Sequence, residues 1–559
     1  MTSITNAHVH YPPGNGAGYY DQPVETVHVP PAAAGPLDLS AGHLRRSVWL
    51  PVPFLVPVVL CGVSWVAGGV QVLTDLGFTF LTVLCLGYFV RELMVFRHRF
   101  GLGGMLVFGG SLVWWAHDYF SHWFGNANGN LGLASSAPIV AKGAFITSLF
   151  ILMMTIGLLI PSGRRAERLV VSLPEPTSTS FYFYLVIVLF VIGVSPYFLF
   201  TNEPFYSVIW KEMFAMRAHR HVTWWTVGRT GTLNYSWGAY IIHIIHIGWF
   251  GGVLAAFYAI MVGRSIVLKS ICWAIWVFWT LLAFGSGTRG YIVFFVLPVV
   301  ALIFIKTELR ARRLGRFNFR GYAVGGAMFL AVLLAIQFQG LFRATREFER
   351  DFGKVELFVN RGNHMFSEPL RAYGLVPKAF PFTRDTFPGA SIVRPLPDVA
   401  VRFATGWIPR ALWQNKPGFD DFAKMYNKLM SGGNAENRGG ATICLNVAGG
   451  AYIQYGLPGV VQMGILYGWL CALVERGFRR ANFRPAGTLF VLGLFQYMFR
   501  GFRDLTPHDL YPLLIGAGAM AVLVVLSRPL FGQAEPQPQP QQADGGYDPG
   551  GMSGAEAYA

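Results

Sequence analysis

The stretch PIVAKGAFITSLFILMMTIGLLIPSGRRAER, from Pro138 to Arg168, decides the fold. An apolar run reaches Ile160 and is followed by a short segment that carries three arginines. A helix needs about twenty mostly apolar residues to cross a bilayer, and basic residues in short loops favour the cytoplasmic side. The stretch therefore predicts a transmembrane helix followed by a cytoplasmic loop.

Apolar runs of this kind recur along most of the chain and predict an all-α polytopic membrane protein with about twelve transmembrane helices. The composition agrees, because 53% of the 559 residues are hydrophobic and only 13% are charged, whereas soluble domains carry about 25% charged residues. The predicted spans are Val48–Leu73, Leu76–Phe96, Leu102–Phe124, Pro138–Ile160, Phe181–Phe200, Ala239–Val262, Ile266–Phe284, Gly290–Ile305, Gly321–Leu341, Gly456–Val474, Ala486–Phe499 and Leu510–Leu526.

The charge of the short loops predicts the orientation, because lysine and arginine collect in cytoplasmic loops. With the N-terminus inside, the short outer connections 74–75 and 126–137 hold no basic residue. The net charge of +16 is then explained by the inner loops, so it does not indicate a nucleic-acid partner. We therefore expect both termini in the cytoplasm. The inner loops hold Arg91, Arg97, Arg99, Arg164, Arg165, Arg168, Arg264, Lys306, Arg310, Arg312, Arg313, Arg316, Arg320, Arg476, Arg479, Arg480 and Arg484.

The domain organisation follows from these spans. Residues 1–47 and 528–559 are rich in Pro, Gly or Gln and predict disordered cytoplasmic tails. Residues 48–341 hold spans one to nine, and residues 456–527 hold spans ten to twelve. Between them, residues 342–455 form a single large outer loop that is long enough to fold into a small subdomain.

Arginines near the predicted outer ends of the spans are candidates for binding an anion. Arg289 opens the eighth span, Arg343 and Arg346 begin the large loop, and Arg500 and Arg503 follow the eleventh span. Guanidinium groups stay charged and bind phosphate through paired donors, and charge this close to hydrocarbon usually faces a cavity or a partner. Ion pairs with nearby carboxylates are the structural alternative.

A second candidate is GWIPRALWQNKPGFDDF, from Gly406 to Phe422, in the large loop. Its two tryptophans favour the headgroup region of a membrane, and its two prolines exclude a continuous helix. Arg410 and Lys416 would then lie at the depth of lipid phosphates. A simple interfacial anchor that touches ordinary phospholipid is the alternative.

Signals for cofactors are lacking. The chain has no Walker loop, Rossmann fingerprint or zincin motif. His117 and His122 are five residues apart, and His243 and His246 have no nearby carboxylate, so neither pair has the pattern of a metal site. We expect no metal and no soluble cofactor.

Three segments carry a resemblance to a known family. IPRALWQNKP resembles the outer-loop segment of Wzy-type O-antigen polymerases, the bacterial oligosaccharide repeat unit polymerases. GSGTRGYIVFF, around Arg289, and GGAYIQYGLPGVV are similar to two further motifs of that family, and the resemblance covers Gly285 to Val474. Where the family has a glutamate in the last motif, this chain has Gly450. The matched positions are Ile408, Pro409, Arg410, Trp413, Lys416, Pro417, Gly449, Tyr452, Tyr455, Gly456 and Gly459.

The resemblance implies a GT-C-like membrane glycosyltransferase that polymerises repeat units into O-antigen or exopolysaccharide. Its substrates would be oligosaccharides on undecaprenyl pyrophosphate, at the outer face of the bacterial inner membrane, with the large loop in the periplasm. Its partners would be this lipid-linked glycan and membrane lipids, with a chain-length regulator as a further candidate. The arginines and Lys416 would stabilise the pyrophosphate, and a base must accept the proton of the acceptor hydroxyl. The candidate bases are His364, Glu368, Glu436 and His508.

Two other functions fit parts of the same pattern. An O-antigen ligase-like glycan transferase also places its chemistry in a large outer loop, and the residues do not separate it from a polymerase. A transporter or flippase of polar lipids would have internal repeats and broken helices that meet near mid-membrane, and no convincing repeat is present in the sequence.

Overall fold

Helices make up the regular secondary structure of the described residues, in which no strand occurs. The structure is a computed structural model, and all the residues it describes belong to one unit, Arg46–Ala559. The described residues are 48–99, 101–121, 136–161, 173–174, 179–199, 204–214, 238–285, 289–313, 319, 321–324, 326–327, 366, 370, 373, 408, 446–481, 485–502 and 507–531. The predicted tail 1–47, most of the predicted ninth span Gly321–Leu341 and of the predicted loop 342–455, and residues 532–559 of the predicted C-terminal tail lie outside them.

The helices follow the apolar runs of the sequence. The third and seventh contain five-residue π-helical segments, at Met105–Gly109, Leu112–Ala116 and Tyr258–Val262. The helices are α1 (Leu55–Val66), α2 (Gln71–Arg99), α3 (from Leu102 to Ser121), α4 (Ala137–Leu159), α5 (Thr179–Leu199), α6 (Phe205–Phe214), α7 (Gly238–Phe257, continued by its π-helical segment), α8 (Ile266–Gly285), α9 (Arg289–Arg313), α10 (Val447–Ala481), α11 (Pro485–Gly501) and α12 (Pro507–Phe531).

Several of these helices are suited to a membrane. Within the described residues, six helical segments are long and apolar enough to cross one, and the helices at Val52–Val66 and Leu513–Ser527 are apolar but shorter. Such a helix satisfies its own backbone hydrogen bonds, as hydrocarbon requires. The chain is therefore an all-α protein with the character of a multi-pass membrane protein. The six segments are Gln71–Met94, Ala137–Leu159, Ser180–Leu199, His243–Val262, Ile266–Ala283 and Tyr455–Arg479.

Several helix boundaries differ from the sequence-based expectation, among them the end of α1 and the start of α10. The first helix ends at Val66 because Gly68 and Gly69 have positive φ angles of 82° and 91°, a conformation that favours glycine. At the other boundary, α10 begins at Val447, so the last residues of the predicted loop are already helical. Its helical path is broken at Gly456, which has φ 68° and ψ −158°.

Side-chain contacts join the predicted inner loops at one end of the bundle. An Arg476 guanidinium nitrogen donates to the Ile160 carbonyl over 2.8 Å, which joins the last turns of α10 and α4. The Tyr322 hydroxyl donates to the Leu93 carbonyl of α2 over 3.1 Å. We call this the basic end, and the opposite end, where α4 and α10 begin, the loop end.

Helices α4 and α10 pack in parallel at very short range. Gly157 faces the Ile465 carbonyl, and a Cβ atom added at Gly464 would lie 2.6 Å from Met153 Cβ. A Cβ at Gly468 would overlap the Met154 carbonyl. Gly464 and Gly468 have the small-xxx-small spacing that lets helices approach closely in a membrane. This contact aligns the first turns of both helices at the loop end.

We predict that Gly468→Ala destabilises the protein, because the new methyl group must separate α4 from α10. Overpacking of this kind costs about 1–3 kcal/mol. The matched control is Gly87→Ala, since no described atom lies within 4 Å of a Cβ at that helical position, and alanine favours a helix over glycine by about 1 kcal/mol. Thermal unfolding in detergent should show a lower Tm for Gly468→Ala alone. Equal Tm values for the two variants would contradict the close packing.

Candidate functional site

Residues of the predicted large loop pack into the loop end of the bundle. Phe366 lies edge-on to Phe78 of α2 and to Tyr119 of α3, with ring centroids 5.1 Å away in both cases. Its backbone N–H donates to an Asp118 carboxylate oxygen over 2.7 Å. Asp118 is 1% exposed, so this hydrogen bond forms away from bulk water and fixes Phe366 against α2 and α3.

A second contact of the loop lies on α4. Leu370 is fully buried, and its side chain occupies the space that a Cβ atom at Gly143 would fill. Tyr373, three residues further along the chain, stands edge-on to Tyr452 of α10 with 5.4 Å between ring centroids. Leu370 and Tyr373 of the loop thereby contact the second turns of α4 and α10.

Lys142 is enclosed by aromatic rings at this junction. Its Nζ atom lies 4.9 Å from the ring centroid of Tyr452, 5.8 Å from that of Tyr373 and 5.9 Å from that of Trp65. The side chain is only 7% exposed. The rings come from α1, α10 and the loop, so the cage forms only where these segments meet.

Among the described residues, the charge of Lys142 is compensated by aromatic rings and not by a carboxylate. A cation over a desolvated ring gains about 2 kcal/mol, whereas burying an ion costs several kcal/mol. Burial raises the pKa of the Tyr452 hydroxyl, so this ring faces Lys142 as a neutral phenol. Within the described part of the chain, no carboxylate forms a salt bridge with Lys142, whose recorded contacts are the ring faces.

The two acids near the docked loop have other partners. Asp75 accepts a hydrogen bond from the Tyr119 hydroxyl over 2.5 Å, and Asp118 accepts the Phe366 N–H. Both carboxylates therefore organise the neighbouring α2–α3 part of the loop end.

The start of α10 is held from two sides. The buried Asn446 side chain accepts the Gly449 N–H, as an N-cap residue does. The Val447 N–H donates to the Phe502 carbonyl at the end of α11 over 3.1 Å. These bonds fix the first turns of α10, and with them Tyr452, between α4 and α11.

Arg500 is the predicted site residue whose side chain the structure describes. It is half-buried in the last turn of α11, close in sequence to Phe502 and therefore at the loop end. Arg289 is the first residue of α9 and His508 the second of α12, and only their backbones are described. The other predicted residues lie outside the described ones: Arg343, Arg346, Arg410, Lys416, Arg503, His364, Glu368 and Glu436.

Sequence reasoning missed Lys142 and the role of Asp118. The available signal for Lys142 was a lone lysine one turn into an otherwise apolar span, since ionisable residues inside a span usually have a function. Its aromatic neighbours were not readable, because Trp65, Tyr373 and Tyr452 are far apart in the chain.

The comparisons with known proteins add no relative. The chain matches no protein-family model, no curated protein and no solved structure. Evidence on function therefore comes from the residues at the loop end and from the motifs in the sequence.

We predict that Asp118→Ala releases the docked loop, because it removes the carboxylate that accepts the Phe366 N–H. A hydrogen bond to a charged group contributes about 1.5–3 kcal/mol, so amide exchange at Phe366 should accelerate about tenfold or more. Asp118→Asn keeps an acceptor at the same place and should give a smaller change. Unaltered protection of Phe366 in Asp118→Ala would show that other contacts hold the loop.

Proposed function

We propose that this protein is a membrane glycosyltransferase that polymerises oligosaccharide repeat units carried on undecaprenyl pyrophosphate. The observation that carries the proposal is the loop end itself, where the large loop docks beside a buried ammonium group. Tyr452, which faces Lys142, belongs to one of the motifs that resemble the Wzy-type polymerases. A charged, aromatic site at the end of apolar helices suits a substrate with a lipid tail, a diphosphate and a sugar chain.

The proposal includes twelve spans, with both termini in the cytoplasm and the loop end facing the periplasm across a bacterial inner membrane. Two observations support it. The contacts of Arg476 and Tyr322 join segments that the charge pattern assigns to the inside. The parallel packing of α4 on α10 agrees with two even-numbered spans that cross in the same direction.

The reaction transfers a glycan between two carrier lipids. The bond between the anomeric carbon and the diphosphate oxygen of the donor breaks, and lipid diphosphate leaves with the electron pair. A hydroxyl of the acceptor sugar forms the new bond to that carbon, and its proton goes to a base. Arg289, Arg343, Arg410 and Arg503 would meet around the diphosphate and stabilise its charge.

This chain lacks a glutamate that the family has in its last motif. Where the family has a glutamate this chain has Gly450, and a Cβ atom there would meet no described atom within 4 Å. If that glutamate is the base of the family, the base of this chain comes from another position, and His364, Glu368, Glu436 and His508 are its candidates. His364 lies two residues before Phe366 in the sequence, and Glu368 lies two residues before Leu370.

Transport is less well supported. The break in α10 at Gly456 falls at the beginning of the apolar segment Tyr455–Arg479. A transporter would place such a break near the middle of the membrane, where its substrate binds. A break at the end of a span instead shapes the surface on which a loop docks.

Deletion of the gene tests the reaction, because a polymerase and a ligase have different substrates. Loss of a polymerase should leave single repeat units on the carrier lipid, measured by mass spectrometry of extracted lipids. Accumulation of finished polymer on the carrier would indicate a ligase instead. Unchanged glycan and lipid profiles would rule out both.

Within the polymerase, Arg410→Ala should shorten or abolish the polymer. Removing one donor that stabilises developing charge lowers a rate by about 10²–10³-fold. The matched control is Arg310→Ala, since Arg310 is an exposed arginine near the end of α9 and should leave polymer length unchanged. Normal polymer from Arg410→Ala at equal protein level would exclude this residue from the diphosphate site.

A further inference from the structure

The aromatic surroundings of the Lys142 ammonium group favour the binding of an anion. Its Nζ atom lies 4.9–5.9 Å from three ring centroids, and rings attract a cation without accepting its protons as a carboxylate does. Tyr452 cannot act as a phenolate, because burial raises the pKa of its hydroxyl. Among the described residues, the cage therefore orients the charge of Lys142 without supplying a carboxylate to neutralise it.

The helix that carries Lys142 adds to this positive potential. Lys142 lies in the second turn of α4, near the N-terminus, where the helix dipole disfavours a cation. The first turn of α4 contains no acidic residue. A methionine would fill the same space at lower electrostatic cost, so the packing of α4 does not by itself explain a lysine.

The cage lies where residues of the large loop meet α4 and α10. Tyr373 and Tyr452 flank the part of the chain that contains Arg410 and Lys416. Leu370, buried against Gly143, holds the loop on α4 directly beside Lys142. A phosphate that reached Lys142 would also contact a surface to which the docked loop contributes.

We propose that Lys142 is an oxyanion-binding residue whose aromatic cage of Trp65, Tyr373 and Tyr452 presents its ammonium to a phosphate group. The ligand class is a diphosphate, either on a polyprenyl lipid or free in solution. The assignment of the lipid source rests on the proposed function, whereas the subsite rests on the geometry of the cage. An ammonium group donates charge-assisted hydrogen bonds to phosphate oxygens. The phosphate carries the negative charge that the three aromatic rings do not.

The test uses the purified full-length chain in nanodiscs and measures binding of ³²P-labelled inorganic diphosphate and of undecaprenyl diphosphate. Lys142→Met should weaken binding about tenfold or more for whichever probe the wild-type chain binds. The control is Lys269→Met, which removes a lysine from α8 and should bind as the wild type does. Binding of the lipid diphosphate alone assigns the site to the carrier lipid, and equal binding of both probes assigns it to any diphosphate.

The stability of the variants separates binding from structure. Without a diphosphate, Lys142→Met should keep or raise the Tm, because it removes a buried charge. A large fall in Tm for both Lys142→Met and Lys142→Gln would identify the ammonium as a structural element and overturn the proposal. Wild-type affinity in Lys142→Met, or no binding of either probe to the wild type, would also overturn it.

Failure of the Lys142 subsite and failure of the proposed polymerase function give different results. If deletion of the gene leads to accumulation of single repeat units while Lys142→Met binds diphosphate normally, the polymerase stands and the subsite fails. If the glycan profile is unchanged but binding still depends on Lys142, the subsite stands and the polymerase fails.

Discussion

The arrangement of the loop end depends on the close parallel approach of α4 and α10. Gly157 on one helix and Gly464 and Gly468 on the other bring the two backbones together. Two parallel helices in such contact have their first turns side by side, and this places Lys142 beside Tyr452. The remaining parts of the cage, Trp65 and Tyr373, then pack around a pair of helix ends that is already fixed.

The second constraint is the seating of the loop on these helix ends. Asp118 accepts the Phe366 N–H, and Leu370 lies against Gly143. Each contact uses a feature of the helices that an ordinary lipid-facing span would not need, namely a buried carboxylate in α3 and a missing side chain in α4. The helices are therefore shaped at this end to receive the loop, and the loop in turn encloses a charged group.

The sequence predicted several helices well because their cause is local, although it missed α6, and most of the predicted ninth span lies outside the described residues. Apolar runs mark α4 and α8 almost to the residue, and the Gly68–Gly69 pair could have marked the early end of α1. The cage around Lys142 was not predictable, since it depends on tertiary contacts between α1, α4, the loop and α10. Of the predicted anion site, Arg500 lies at the loop end, and the clustering of the other arginines stays a prediction.

We propose that the loop end binds the diphosphate of a carrier lipid. An experimental density map of the protein in nanodiscs with undecaprenyl diphosphate tests it most directly. We expect diphosphate density at the loop end, with a phosphate oxygen about 3 Å from Lys142 Nζ. The rings of Trp65, Tyr373 and Tyr452 should lie around the ammonium group. Diphosphate bound at the basic end, or bound elsewhere while the three rings still enclose Lys142, would contradict it.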